Sequence, residues 1–539
     1  MIILLFIILF LWSVVIIKHT LFWAYLWQIK EYRYDRMRVH FELPSSRKLL
    51  LNKRVIWLLA IAVLLSLPGG TLSTLGTILL LLFYGFFAGR GIQQMQNKTL
   101  KKPDFTFRAS LIITFNILVY AIATATVFIF LRQWFFAWLL IADILAPLIL
   151  ALGVGISHPL FAYLKDRIIQ KATKKRAELK DLLVIGITGS YGKSSMKEIL
   201  ATILSREFNV LKTPENINID IGIARVILKK LTKEHNVFIA EMGAYTKGEI
   251  KKTAQMASPQ IGILTGIGPQ HLSLFGGLEN IKEAKYELMK ALPGKGLAVF
   301  NGDNKHTRQL ANQHKGPKRL YGIDPLVDKI DQKILVEQVK NTAQGLEVKI
   351  IETEEHNEQT LKTSLLGRHN ATNIMGAVTV ARELGMDYKN IKQALLELEP
   401  PAHTLEIKKG IKGSIVIDDT YSANLNGVLA ALDVLAGIKG KQKIIVMQPM
   451  IELGSEAEKA HAKVAARIAE VCTWCIMTGK DYFNTIYKEA LDNGMSKNSI
   501  FCLPNSRDAL RKGQELTDKD DVVLLENRIH PDVIKGLTL

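Results

Sequence analysis

The first 156 residues contain five apolar runs: Met1–Ile17, Val55–Leu67, Leu72–Ala88, Ala109–Leu131 and Trp134–Ile156. A bilayer accommodates so much apolar sequence more readily than a water-soluble core does, because about 20 apolar residues in a helix cross its hydrocarbon layer. The first run lacks a basic leader and a small-residue cleavage site, so it reads as an anchor rather than a signal peptide. The second is short and is followed by "PGGT". Either flanking residues complete it or it forms a re-entrant hairpin with the third.

Charge supplies the orientation. The chain has 539 residues and a formal net charge of +19, of which +15 falls within the first 180. Lysines and arginines crowd the stretches 18–54, 90–108 and 165–176, whereas the alternate loops hold nothing or only Arg132. Basic loops stay in the cytoplasm, which puts the N-terminus outside and everything after Ile156 inside. With the excess explained this way, and no basic stripe interleaved with aromatics in the remainder, nucleic acid is not an expected partner. Asp143 lies within the fifth run, where an ionisable group is costly. It reads as a protonated or hydrogen-bonded aspartate inside the bundle, with no second buried charge to form a relay. "QKATKKRAELK" (170–180) reads as a solvated helix beside the membrane rather than a specific lipid site. Cys472 and Cys475 form a CxxC without further zinc ligands at suitable spacing, and read as part of a buried strand.

Past the basic run, "LLVIGITG" reads as a buried strand and "SYGKSSMKEILATIL" as a turn entering a helix. Strand, glycine-rich loop and helix N-terminus make an anion site, since amide N–H groups and the helix dipole converge on it. Gly189, Ser190, Gly192 and Ser195 belong to this phosphate-binding loop. In it Lys193 reaches the terminal phosphates of a nucleotide and Ser194 ligates magnesium. The spacing departs from G-x-x-x-x-G-K-[ST], because Ile187 stands at the first glycine position.

"GITGSYGKSS" resembles the loop of the Mur ligase family, ATP-dependent amide-forming enzymes of bacterial cell-wall synthesis. "TPENINIDIGIA", "FIAEMGAYTKGEI", "ILTGIGPQHLSLFGGLENIKEAKYEL", "VFNGDN", "LLGRHNATNIMGAVTVAREL", "IDDTYSANLNGVLAAL" and "MQPMIELGSEAEKAH" follow in the family's order, across residues 180 to 530. The last two are most similar to the dipeptide-adding branch. The resemblance implies a ligase that activates a carboxylate as an acyl phosphate, using ATP and Mg2+, for capture by an amine. It implies catalytic roles for Lys193, Glu241, His271 and Lys285. Glu241, Ser194 and His271 would hold magnesium, joined by Lys285 if it is carbamylated. Asn301, His369, Asn370 and Asn373 would lie near the nucleotide base, with N-capping a competing account of the last three. Asp419 belongs to the nucleotide site, and Tyr421 and Asn424 to a loop that closes on substrate and excludes water.

The expected architecture is a helical transmembrane region over 1–165, an α/β ATP-binding domain over 166–400 and a Rossmann-like C-terminal domain over 401–539. The short apolar runs "SIVIDD", "KIIVMQ", "TWCIMTG" and "DVVLLE" form the last sheet, after a stiff linker at Pro400 and Pro401. The expected partners are a peptidoglycan-type acceptor, an amino acid or dipeptide supplying the amine, and membrane lipids, with the enzyme in the cytoplasmic membrane.

Four features depart from the family pattern. The nucleotide-sugar-binding domain is replaced by the apolar runs, Thr404 stands for an arginine, Leu425 for a proline and Glu526 for a lysine. They leave open a lipid-linked acceptor, or a polyglutamate-type or amidating ligase. An ATP-driven transporter would need a signature motif and a strand-end acidic dyad, and neither is present. An inactive scaffold fits poorly with the retained Lys193, Glu241, His271 and Lys285.

Overall fold

The apolar runs become helices, the form that satisfies a segment's backbone hydrogen bonds within the segment itself. The structure is a computed structural model that describes residues 2–539 except 43, 51–52, 67–69, 325–331, 343–344, 354–355, 400–402, 422–423 and 452. Pro400 and Pro401, read as a linker, lie outside the described residues. The chain divides into two compact units, Met1–Asp166 and Arg167–Leu539.

The main helices beginning in the first unit are α1 (Ile2–Ile29), α2 (Lys53–Ser66), α3 (Gly70–Gln96), α4 (Phe107–Phe130), α5 (Phe135–Ile144) and α6 (Ala146–Ala177). Four of them, α1, α3, α4 and α6, are long and apolar enough to cross a membrane. With 14 residues, α2 extends only about 21 Å. It packs on α3 so closely that a Cβ at Gly76 would come within 3.0 Å of the Leu65 side chain.

The fifth apolar run is not one segment. It is divided at Leu145 between α5 and α6, beside Pro147, which has no amide hydrogen to continue the ladder. Beyond residue 156, α6 continues through the basic run. There Arg176 is buried rather than solvated, donating to the carbonyl oxygens of Ala257, Leu179 and Leu182 at 2.9–3.2 Å.

The reading of Asp143 also needs correcting, because it has charged partners. Its side chain is fully buried, lies 3.0 Å from His19 Nδ1 and is ion-paired with Arg54. Arg54 is 35 residues from His19 and 89 from Asp143 in sequence. No local pattern links the three, so a search along one helix misses them.

In the second unit, β1 (Leu183–Thr188), β2 (Val210–Lys212), β3 (Val237–Glu241), β4 (Ile261–Leu264), β5 (Leu297–Asn301) and β6 (Lys318–Tyr321) form a sheet of order β2-β3-β1-β4-β5-β6. Every pairing is parallel. All five residues of β3 and all four of β4 are buried, as expected of strands covered on both faces. The order reverses direction beside β1, so the crevice at the carboxyl ends of β1, β3 and β4 is where such sheets bind ligands.

An antiparallel sheet of β7 (Ile334–Thr342), β8 (Gly345–Glu352) and β9 (Asn357–Thr363) follows. The last sheet contains β10 (Glu406–Lys409), β11 (Ile415–Asp419), β12 (Lys443–Met447), β13 (Trp474–Met477), β14 (Ile500–Cys502) and β15 (Val522–Glu526), in the order β10-β11-β15-β12-β13-β14. It is parallel apart from the β10–β11 pair. The CxxC is not contained in one strand. Cys472 caps the helix Ala457–Val471, Cys475 lies in β13, and both are buried free thiols.

Candidate active site

The loop from β1 to α7 (Lys193–Leu204) forms the floor of the site. A Cβ at Gly189 would collide with Thr265 Oγ1 at 2.1 Å, so the backbone sits against the end of β4 in a way that only glycine permits. Gly192 caps α7 with φ 78°, a left-handed turn that also favours glycine. The Ser190 hydroxyl is turned inward and donates to Gly268 O at 3.1 Å. Lys193, Ser194 and Ser195 then open α7, where the first amides have no intrahelical partner and the dipole is positive.

Glu241 ends β3, next to β1. It is buried, and its Oε2 accepts from Ser194 Oγ at 2.9 Å and from Lys197 Nζ at 3.4 Å. Its Oε1 accepts from Asn218 Nδ2 at 3.2 Å. Burial holds the Lys193 ammonium below its ordinary value, and the charge of Glu241 partly offsets this.

Lys285 projects from α8 (Leu278–Lys290), buried 5.7 Å above the Phe275 ring. Burial first, and repulsion from Lys193 second, lower its pKa from an ordinary 10.5 to about 7, against the pull of Glu249, Glu287 and Glu241. Lys193, Glu241 and Lys285 therefore feel one another's charge. His271, at φ 54°, precedes a short helix ending at Phe275 and meets the Tyr245 ring edge-on at 4.9 Å.

The other expected residues divide between the site and the scaffold. Asn373, on α9 (Arg368–Glu383), faces the loop: its Oδ1 lies 3.0 Å from where a Gly192 Cβ would stand. The N-cap of α9 is Gly367, without a side-chain bond, and Asn370 bonds back to Leu366 O at 2.8 Å. N-capping therefore does not account for these asparagines. His369 is pushed down to about 4 by burial. Asn301 holds the loop, donating to Thr265 O and accepting from Asp303 N.

Tyr421 reaches from the last sheet's side, its hydroxyl donating to Asn216 Oδ1 at 2.7 Å and lying close to Ser194 and Glu241. Asn424 instead caps the helix Leu425–Gly437. Asp419 is also spent locally, accepting from Leu405 N at 3.3 Å. Across the β11–β15 pairing it stands level with Glu526, and burial drives both carboxyls up, Asp419 to about 7. The sequence reading missed Lys197, fully buried against Glu241, and Asn218. Lys197 lies one helical turn from Lys193 and is followed on its face by Leu200, Ala201 and Leu204, a position that signals a buried lysine with a partner.

Two family models match this part of the chain: the Mur ligase middle domain over residues 187–381 and the Mur ligase, glutamate ligase domain over residues 405–526. The chain belongs to the Mur ligase family. Among its relatives are the UDP-N-acetylmuramoyl-tripeptide--D-alanyl-D-alanine ligases of Synechocystis sp. and Escherichia coli, each 32% identical over 286 and 290 residues respectively. These alignments cover 53% of this chain and only 59% and 63% of the two relatives. Among solved structures, MurF from Acinetobacter baumannii has a TM-score of 0.61 at 25% identity, over 69% of this chain and 80% of its own. MurF ligase from Thermotoga maritima, solved in complex with ADP, has a TM-score of 0.59 at 24% identity, over 68% and 80%. The last comparison bears on the fold alone.

Proposed function

We propose that this Mur ligase joins an amino acid or a D-alanyl-D-alanine-type dipeptide to a peptidoglycan precursor at the cytoplasmic face of the membrane, driven by ATP. The observation that carries this reading is the convergence of Lys193, Ser194, Glu241 and Lys285 at the carboxyl edge of one parallel sheet. The loop amides and Lys193 bind the phosphates, and the γ-phosphate passes to a substrate carboxylate. Such a transfer needs positioning and charge neutralisation more than covalent participation by the protein.

Magnesium fits the donor set: Ser194 Oγ and Glu241 Oε2, 2.9 Å apart, are hard oxygen ligands. We assign His271 and a carbamylated Lys285 as further ligands. Bound there, the ion supplies charge neutralisation on the phosphates. A lysine amine near pH 7 is half neutral, the form that reacts with CO2, and its carbamate turns repulsion from Lys193 into attraction. Asn301, His369, Asn370 and Asn373 frame the base, while Asp419, Tyr421 and Asn424 belong to the closing side.

A lipid-linked acceptor is the second reading. It is favoured by the helices long and apolar enough to cross a membrane, which take the place of the nucleotide-sugar-binding domain that the resemblance calls for. The test is phosphate release by the full-length protein with ATP, Mg2+, a panel of amines, and wall peptides that are either UDP-linked or lipid-linked. Release that requires both an acid and an amine supports a ligase. Equal release without either rejects it, and the carrier that turns over separates the two acceptors.

A further inference from the structure

The membrane unit holds a second feature, remote in chemistry from ATP. Trp57 and Ile61 of α2 and Leu79, Leu82, Phe83, Phe86 and Phe87 of α3 line an apolar groove of about 320 Å³. Trp57, Leu82 and Phe86 each remain about 60% exposed. Two arginines rim the groove. The Arg54 guanidinium lies 5.8 Å and 5.1 Å above the Phe83 and Phe87 rings, and Arg90 lies 5.3 Å from Phe86.

Lys18 of α1 joins them. Its Cδ is 3.2 Å from where a Gly91 Cβ would stand, and it feels the charge of both Arg54 and Arg90. One carboxylate, Asp143, is bonded into this cluster, through Arg54 and His19. Among the described residues neither Lys18 nor Arg90 is ion-paired. Three cations against one carboxylate, at the rim of an apolar groove, leave a positive excess that an anion with an apolar tail would neutralise. The charge pattern turns these ends of α1, α2 and α3 toward the cytoplasm, the leaflet where basic pockets between helices hold lipid headgroups.

We propose that this groove binds one anionic phospholipid, with its phosphate between Lys18 and Arg90, Arg54 behind it, and a chain along Phe83, Phe86 and Phe87. The site serves to hold lipid and is independent of the assignment of the ligase substrates.

The test is native mass spectrometry of the full-length protein exchanged against phosphatidylglycerol and phosphatidylcholine with matched chains. The expected preference for phosphatidylglycerol is about thirtyfold, roughly a factor of five from each of two basic side chains. The double substitution Lys18→Gln, Arg90→Gln leaves the Arg54–Asp143 pair in place and should bring the two lipids within about twofold. Leu82→Trp fills the groove, keeps every charge and should abolish retention; it decides the matter if the double variant does not fold. Equal retention of both lipids by the unsubstituted protein overturns the proposal. So does an unchanged preference in the double variant, undiminished binding in Leu82→Trp, or displacement of the lipid by millimolar inorganic phosphate.

Discussion

Lys285 offers the sharpest test of the site, because its chemistry follows from surroundings that can be altered one at a time. Its amine is displaced from an ordinary 10.5 to about 7, chiefly by burial and next by Lys193. At pH 7 about half of it is neutral, roughly a thousandfold more than for an ordinary lysine. Between pH 6 and pH 8 the neutral fraction climbs from about one tenth to about nine tenths. Incubating the full-length protein with 13C-labelled bicarbonate, or labelling it with cyanate and mapping the peptide, should give modification at Lys285 with a midpoint near pH 7. Lys193→Gln removes the smaller cause and should move the midpoint upward without restoring 10.5. The same displacement affects stability. The unfolded chain binds the extra proton between about pH 7 and pH 10.5, so the contribution of this residue rises with pH across that window. Below the window it costs up to about 5 kcal/mol. Labelling that keeps increasing beyond pH 9 with no earlier midpoint would refute the buried, repelled amine and the carbamate assigned to it.

Four further outcomes are expected. Lys193→Ala should reduce ATP-dependent phosphate release by at least about 100-fold, as removal of one preorganised cation does elsewhere; turnover near the original rate excludes its assigned role. Glu241→Gln deprives Lys197 of one carboxylate, leaving Glu198 at 3.4 Å, and should destabilise the fold by about 3 kcal/mol, read as a lower melting temperature. Glu526→Gln removes a carboxyl that burial, and next the charge of Asp419, raise well above its ordinary pKa. The original loses stability as pH rises from the unfolded carboxyl's range toward the raised folded value, so the variant's melting advantage should grow from pH 4 to pH 8. A constant difference contradicts that. Asp143→Asn leaves Arg54 without its carboxylate and should cost about 3–5 kcal/mol in the detergent-solubilised protein. Melting unchanged from the original would show the pair to be inconsequential.

Local signals carried much of the architecture. The apolar runs, the phosphate loop and the strands that become β11, β12, β13 and β15 are each legible, because burial on both faces or in lipid demands continuous apolar sequence. The sheet of β7, β8 and β9 is not. Its central strand, "GLEVKIIE", buries Leu346, Val348 and Ile350 at alternate positions, but its neighbour "NEQTLKT" is mostly polar and only partly buried, so one strand carries the alternation and its partner does not. The break at Leu145 was also obscured, because α5 and α6 are both apolar and hydropathy does not register a missing hydrogen-bond donor.

The least legible features are those created by pairing between distant segments. Lys197 becomes a partner of Glu241 only when β3 lies beside β1, which sets the strand end 44 residues away against the second turn of α7. Asp419 and Glu526 belong to strands with an intervening 100-residue excursion, and only the β11–β15 register brings them level. In each case the side chain was visible as a residue but not as a charge in a particular field, since the field is a property of the sheet order. That order also separates the two carboxylate sites chemically. Glu241 faces three donors, Ser194, Lys197 and Asn218. Glu526 stands level with another carboxyl, and among the described residues its two oxygens have no hydrogen-bond donor; burial raises its pKa well above the ordinary carboxylate range. The edge at β1 and β3 thus has its donors already in place around one carboxylate, whereas the β11–β15 edge sets two buried carboxyls side by side, both with pKa values raised by burial.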